Sequence, residues 1–178
     1  MNPSGLQDTQ KGKTENQLFP VFLKLQNFNT LLVGAGNVGL EKLQAMLSNS
    51  PEARITVVAD KVLDEVRDLL KSHSQVSLIQ RTFEESDLND KELVVLATDN
   101  FALHQQIVAL CKERGLLVNV ADTPDLCDFY LSSIVKKGNL KIAISTNGKS
   151  PTVAKRLKEV LSDGLPEELD QTLDNINK

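Results

Sequence analysis

Thr30-Leu31-Leu32-Val33-Gly34-Ala35-Gly36-Asn37-Val38-Gly39 is the stretch that decides the fold. An apolar run, Thr30–Val33, ends in glycines spaced G-x-G-x-x-G, and Val38, Leu40, Leu43, Met46 and Leu47 follow near helical spacing. A strand turning through such glycines into a helix is the context in which the motif binds a dinucleotide. Gly34 permits the tight turn, Gly36 lets the backbone approach a pyrophosphate, and Gly39 lets helix pack on strand. Ala35, Asn37 and Val38 complete the loop, and the helix N-terminus offers N–H groups and a positive dipole end to the phosphates. The competing reading of the glycines is a plain strand–helix turn.

Outward from this loop, strand and helix patterns alternate. Ile55–Ala59 is continuous and β-branched, as a strand covered on both faces should be. Val62–Leu70 reads as an amphipathic helix, Val76–Ile79 and Leu93–Ala97 as strands, Phe101–Arg114 as a helix stopped by Gly115, and Leu116–Val120 as a buried strand. This βα rhythm predicts an α/β, Rossmann-type doubly wound parallel sheet. Upstream, Val21–Leu25 alternates as a short strand would, and residues 1–17 read as a disordered lead. After Asp122 the rhythm changes. Ser133–Lys137 and Leu140–Ser145 flank Gly138-Asn139 and predict a hairpin. Ser150-Pro151 then opens a helix with Leu157, Val160 and Leu161 as its apolar face, broken at Gly164-Leu165-Pro166, and Glu167–Asn177 reads as a last short helix. The predicted organisation is a nucleotide-binding domain over 18–123 and a hairpin-and-helix module over 124–178.

Three polar groups fall at strand ends, where open α/β sheets bind ligands. Asp60 follows the second strand about 20 residues beyond the glycines, where a carboxylate accepts from the adenosine ribose hydroxyls and repels a 2′-phosphate. That points to NAD over NADP; the alternative for Asp60 is a cap on the next helix. Thr98 and Asp99 end the fourth strand and are candidates for contact with the nicotinamide half or its ribose; the alternative is capping of the Phe101 helix by Asp99 or Asn100.

The 178-residue chain suffices for one domain with a small appendage, and its core must be aliphatic, since it has no Trp, one Tyr and six Phe. A formal net charge of −4 argues against nucleic acid as the main partner. Cys111 and Cys127 have no metal-ligand spacing with each other or with His73 and His104, so no metal site is expected; Cys111 sits in a helical pattern as a core residue. The polar first 17 residues carry no apolar signal segment, and no run approaches the length of a membrane span, so the expected compartment is cytoplasmic.

Several separated motifs together resemble one family, the precorrin-2 dehydrogenase / sirohydrochlorin ferrochelatase family, which includes the N-terminal module of sirohaem synthase. They are Leu18-Phe19-Pro20-Val21-Phe22-Leu23, the glycine loop followed by Lys42, Ala97-Thr98-Asp99, and Val118-Asn119-Val120-Ala121-Asp122-Thr123-Pro124 with Asp128-Phe129. The last is Ile142-Ala143-Ile144-Ser145-Thr146-Asn147-Gly148-Lys149-Ser150-Pro151. They occur in family order across residues 18 to 166. The chain departs from the family's pattern at Glu41, Asp60, His104 and Ser132, where Arg, Pro, Asn and Pro are usual.

The resemblance implies NAD-dependent dehydrogenation of precorrin-2, sometimes joined to insertion of Fe²⁺, by an intertwined homodimer whose second module supplies the interface. It places the family's essential aspartate at Asp122. A carboxylate directly after the fifth strand, at the ligand edge, is positioned to take a proton as hydride leaves; the alternative is a turn residue ahead of Thr123-Pro124. A substrate rich in carboxylates needs donors. The Ser150-Pro151 helix start offers N–H groups, while Ser145, Thr146, Ser150, Lys149 and Lys155 offer side chains, the lysines alternatively being solvated surface. Substrate and cofactor are expected to meet between the two modules. Two rival readings are a dehydrogenase of another small substrate and a non-catalytic NAD-binding regulatory domain.

Overall fold

The computed structural model describes residues 15–166, which fall into two compact units, 22–132, and 133–166 with 15–21. The first unit contains β1 (Asn29–Ala35), α1 (Asn37–Asn49), β2 (Arg54–Val62), α2 (Asp64–Leu70), β3 (Val76–Ile79), β4 (Leu93–Leu96), α3 (Phe101–Arg114) and β5 (Leu117–Val120). Its five strands are all parallel in the order β3-β2-β1-β4-β5. Successive residues of one strand face opposite sides, and the core divides accordingly. Leu32, Val57 and Val95 pack with Leu43, Met46, Leu47 and Val66 of α1 and α2. Leu31, Val33, Val58, Val94 and Leu96 pack with Ile107, Val108 and Cys111 of α3. Helices on both faces explain why these strands read as uninterrupted apolar runs. The chain order reverses between β1 and β4, so the carboxyl edge at that pair is the sheet's switch point.

Local chemistry sets the ends of α3. Asn100 Oδ1 accepts from Leu103 N–H at 3.0 Å, and Gly115 closes the helix in the left-handed region at φ 68°. Two expectations fail. Val21–Leu25 is not a strand: no ladder forms there, Val21 and Phe22 are exposed, and Leu25–Asn27 winds into a 3₁₀ turn. Alternation alone does not make a strand where no neighbouring edge accepts its hydrogen bonds. The helix expected from Val62 starts at Asp64 instead, because Leu63 N–H bonds to Ala35 O at 3.0 Å and continues the β pairing.

In the second unit β6 (Ser133–Lys137) and β7 (Leu140–Ile144) form an antiparallel hairpin with Lys137 opposite Leu140, turning through Gly138-Asn139. α4 (Pro151–Gly164) follows, capped by Ser150 Oγ accepting from Val153 N–H at 3.2 Å and opened by proline. Val135 and Ala154 are buried. Of the apolar face expected for this helix, Leu157 and Val160 are 44% and 54% exposed and Leu161 is half-buried, while Val153, outside that expectation, adds a third apolar side chain at 50%. The predicted helix over Glu167–Asn177, and most of the predicted N-terminal lead, lie outside the described residues.

Candidate active site

The glycine loop divides its three glycines between two physical tasks. A Cβ on Gly34 would collide with the carbonyl oxygen of Ala97, and one on Gly39 with the carbonyl oxygen of Gly34. Gly34 also holds φ 106°, a region closed to side chains. These two let β1, β4 and α1 touch. Gly36 differs: nothing lies within 4 Å of the Cβ it lacks. It is the N-cap of α1 and, having no side chain, leaves the first amides of α1 without a side-chain cap. An open cradle bordered by a positive helix end fits a pyrophosphate. Gly34, Ala35, Gly36, Asn37, Val38 and Gly39 thus lie together in the β1–α1 turn, at the switch point.

Register carries this edge across the sheet. Val33 pairs with Leu96 and Leu96 with Val120, so Gly34, Ala97 and Ala121 form a row just past the ladder. Backbone bonds extend the row, Ala97 N–H to Val33 O at 2.8 Å and Ala121 N–H to Leu96 O at 2.9 Å. Asp122 comes next, roughly 10 Å from the glycine loop on the basis of two strand spacings. Its side chain is exposed, takes part in no hydrogen bond or ion pair among the described residues, and rides on a left-handed backbone, φ 57°. Such a conformation is uncommon outside glycine and gathers at functional sites.

Thr98 lies beside the Gly34 turn, and its Oγ1 is 2.8 Å from Nε2 of His104 while accepting from Asn100 N–H at 3.3 Å. His104 is buried, and that burial holds its imidazole below the ordinary histidine value, against the pull of nearby Asp99. Asp99 is exposed and leaves the capping of α3 to Asn100. Asp60 lies in an irregular stretch of β2: two steps along β1, Val33 to Ala35, match four along β2, Val58 to Val62. Its Oδ1 accepts from Lys61 N–H at 2.9 Å, and the N-cap of α2 is Leu63, so Asp60 does not cap that helix. Its carboxylate is exposed at the end of the strand neighbouring the glycine loop.

The predicted substrate residues Ser145, Thr146, Lys149 and Ser150 share one loop of the second unit. Thr146 Oγ1 donates to Ser150 O at 3.1 Å and accepts from Ser150 N–H at 3.2 Å, and Ser145 Oγ accepts from Asn147 N–H at 3.2 Å. Asn147 and Gly148 are both left-handed, and Lys149 N–H closes the turn onto Thr146 O at 3.1 Å. The hydroxyls thus shape the loop that presents the start of α4.

One group escaped the sequence reading. Cys127 Sγ accepts from Val120 N–H at 3.2 Å and lies 3.2 Å from Val120 O and 3.4 Å from Thr123 O. Burial pushes its thiol up. No local spacing signals this role, because the partners are backbone groups met only after the chain turns back. Cys111 is the core residue expected, its thiol pushed up to about 11 by burial.

A family model described as NAD(P)-binding matches residues 21–133. The chain belongs to this NAD(P)-binding family. A second model, the central part of sirohaem biosynthesis proteins, matches residues 137–163, and the family inferred from the motifs is the one these matches return. Among relatives of this NAD(P)-binding chain, siroheme synthase of Pseudoalteromonas atlantica is 39% identical over 153 residues, covering 86% of this chain and 32% of that one. Siroheme synthase of Thioalkalivibrio sulfidiphilus is 36% identical over 148 residues, covering 83% and 30%. The chain therefore spans about three tenths of the length of these curated relatives. A solved structure titled "SirC, precorrin-2 dehydrogenase" superposes with a TM-score of 0.70 at 29% identity, covering 88% of this chain and 76% of that one.

Proposed function

We propose that this chain oxidises precorrin-2 to sirohydrochlorin with NAD⁺, as a step of sirohaem biosynthesis in the cytoplasm. The observation that carries the reading is Asp122, an exposed, left-handed carboxylate one step past β5, in the row that begins at the glycine loop. The residues present fit the dinucleotide: the open space at Gly36 and the uncapped start of α1 suit the pyrophosphate, Asp60 the adenosine ribose, and Thr98 and Asp99 the nicotinamide side. When bound, NAD⁺ supplies the hydride acceptor. Asp122 takes the proton released from the macrocycle, and its exposed carboxylate is the base at the ligand edge.

Charge supports a polyanionic substrate. Residues 133–166 hold seven basic and two acidic side chains, in a chain whose overall charge is −4. The start of α4 adds backbone N–H donors, with Ser145, Thr146, Lys149 and Ser150 around it. The stripe Val153, Leu157 and Val160 is the surface through which we expect a second copy to pair, giving the homodimer. Among the described residues no helix is long and apolar enough to cross a membrane, and no group of three His, Cys, Asp or Glu side chains could hold a metal ion. Iron, in this reading, is cargo.

Anaerobic incubation with precorrin-2 and NAD⁺ tests the proposal. NADH and sirohydrochlorin should form together, and later addition of Fe²⁺ shows whether sirohaem follows. Tight NAD⁺ binding with no turnover would instead make the chain a regulatory NAD sensor and sink the dehydrogenase.

A further inference from the structure

We propose that Cys127, backed by Asn119, is a positioning clasp that fixes the turn carrying Asp122. The inference rests on the reading of Asp122 as the base. After β5 the chain runs through Asp122 and a 3₁₀ turn at Pro124–Leu126, then returns to lie against the strand it has left. Asp128 N–H bonds to Val118 O at 2.8 Å, and Asp128 Oδ2 accepts from Val118 N–H at 3.0 Å. Asn119 Nδ2, on a buried side chain, donates to Phe129 O at 2.8 Å and reaches the Cys127 sulfur at 3.6 Å. The sulfur accepts from Val120 N–H, and its hydrogen is shared between Val120 O and Thr123 O. It thus ties together the residues on either side of Ala121-Asp122. The backbone bond Thr123 N–H to Val120 O, at 3.3 Å, is long and needs this support.

Asp122 requires such a tie for two reasons. Its left-handed backbone persists only when its surroundings over-determine it. Its carboxylate has no partner of its own among the described residues, so the turn alone aims it. Because burial keeps the thiol protonated, Cys127 acts as an S–H donor and N–H acceptor and not as a nucleophile.

The test is a double-mutant cycle on the full chain with Cys127→Ala, Cys127→Ser and Asp122→Asn. Turnover, the Kd for NAD⁺, and amide hydrogen exchange at Thr123 are measured in each. Cys127→Ala should lower kcat about tenfold, less than the ~10²-fold of a 1 Å misplacement. It should speed exchange at Thr123 and leave the Kd for NAD⁺ unchanged. Cys127→Ser should recover most of the rate, and in the Asp122→Asn background Cys127→Ala should change kcat no further. An unchanged kcat in Cys127→Ala, or the same loss repeated in the Asp122→Asn background, overturns the clasp while leaving Asp122 as base. If Asp122→Asn itself turns over at the full rate, the reading of Asp122 falls and the clasp with it. Should Cys127→Ala not fold, Cys127→Ser alone decides: faster Thr123 exchange at wild-type kcat overturns the proposal.

Discussion

In the unit spanning 22–132 each central strand is covered on both faces, and large side chains such as Leu31, Leu32, Leu43, Ile55, Leu96 and Ile107 sit at under 2% exposure. Across 133–166 the buried apolar residues are Val135 and Ala154, while the stripe on α4 meets solvent. Burial of apolar area is the main favourable term in folding, at roughly 25 cal/mol per Å². The first unit therefore holds its own shape and keeps an open cradle at its edge. The second exposes the stripe through which the proposed homodimer would pair.

The contrast breaks hardest at the glycine loop. Gly34→Ala forces a side chain into the Ala97 carbonyl at φ 106° and should cost about 3 kcal/mol or more, lowering Tm by roughly 6–12 °C in calorimetry. Gly36→Ala enters open space and should leave Tm in place while raising the Kd for NAD⁺ about tenfold. If both variants lose stability alike, the division between packing glycine and ligand glycine is wrong. In the second unit, Leu157→Glu should leave the first unit folded and weaken self-association by about 2 kcal/mol, roughly 30-fold in Kd by analytical centrifugation. A wild-type chain already monomeric at high concentration would remove the reason for the exposed stripe.

Much of this was legible in the sequence, for identifiable reasons. β3, β6 and α3 match their predicted bounds because periodicity, the Asn100 cap and the Gly115 stop agree with one another. The glycine loop was legible because Gly34 and Gly39 each have a steric cause, while Gly36 borders open space at the start of α1. Legibility fails where tertiary contacts decide. Val21–Leu25 has a strand's alternation and no strand to pair with. Val62 has a helix's pattern, yet is claimed by the irregular end of β2 against Ala35. The left-handed backbone at Asp122 and the Asn119–Cys127 ties depend on where the chain returns, which no local pattern records. On α4, spacing found the apolar stripe and could not show that the hairpin leaves it uncovered.

Charge pairs sharpen the comparison at smaller amplitude. In the first unit Arg81 grips buried Asp87 with two bonds, 2.8 and 2.7 Å, and Glu84 N–H adds a third at 2.9 Å. The Arg81 guanidinium above all holds the Asp87 carboxyl below its usual range. A carboxylate depressed in the folded state adds stability in full above its unfolded value, and that stability is lost as pH falls through the folded value. Asp87→Ala should therefore cost about 2 kcal/mol near neutrality and less as the solution is acidified below the ordinary carboxylate range, followed by urea melts against pH. In the second unit Arg156 and Glu159 pair at 2.9 Å in the open, and Glu159→Ala should leave the melts unmoved.

The smallest change expected in ligand binding falls on Asp60, and it separates cofactor choice from fold. The carboxylate is exposed, caps no helix and touches only the amide of Lys61, so Asp60→Ala has little packing to disturb. What it removes is a negative charge at the end of the strand beside the glycine loop. Repulsion of a 2′-phosphate and acceptance from the ribose hydroxyls both end with it. Calorimetric titration with NAD⁺ and NADP⁺ should then show the preference for NAD⁺ narrowed by roughly fivefold, about 1 kcal/mol, with Tm unchanged. A preference left as it was would mean that the ribose end is read by other groups, and that the irregular stretch of β2 serves only to carry the chain into α2.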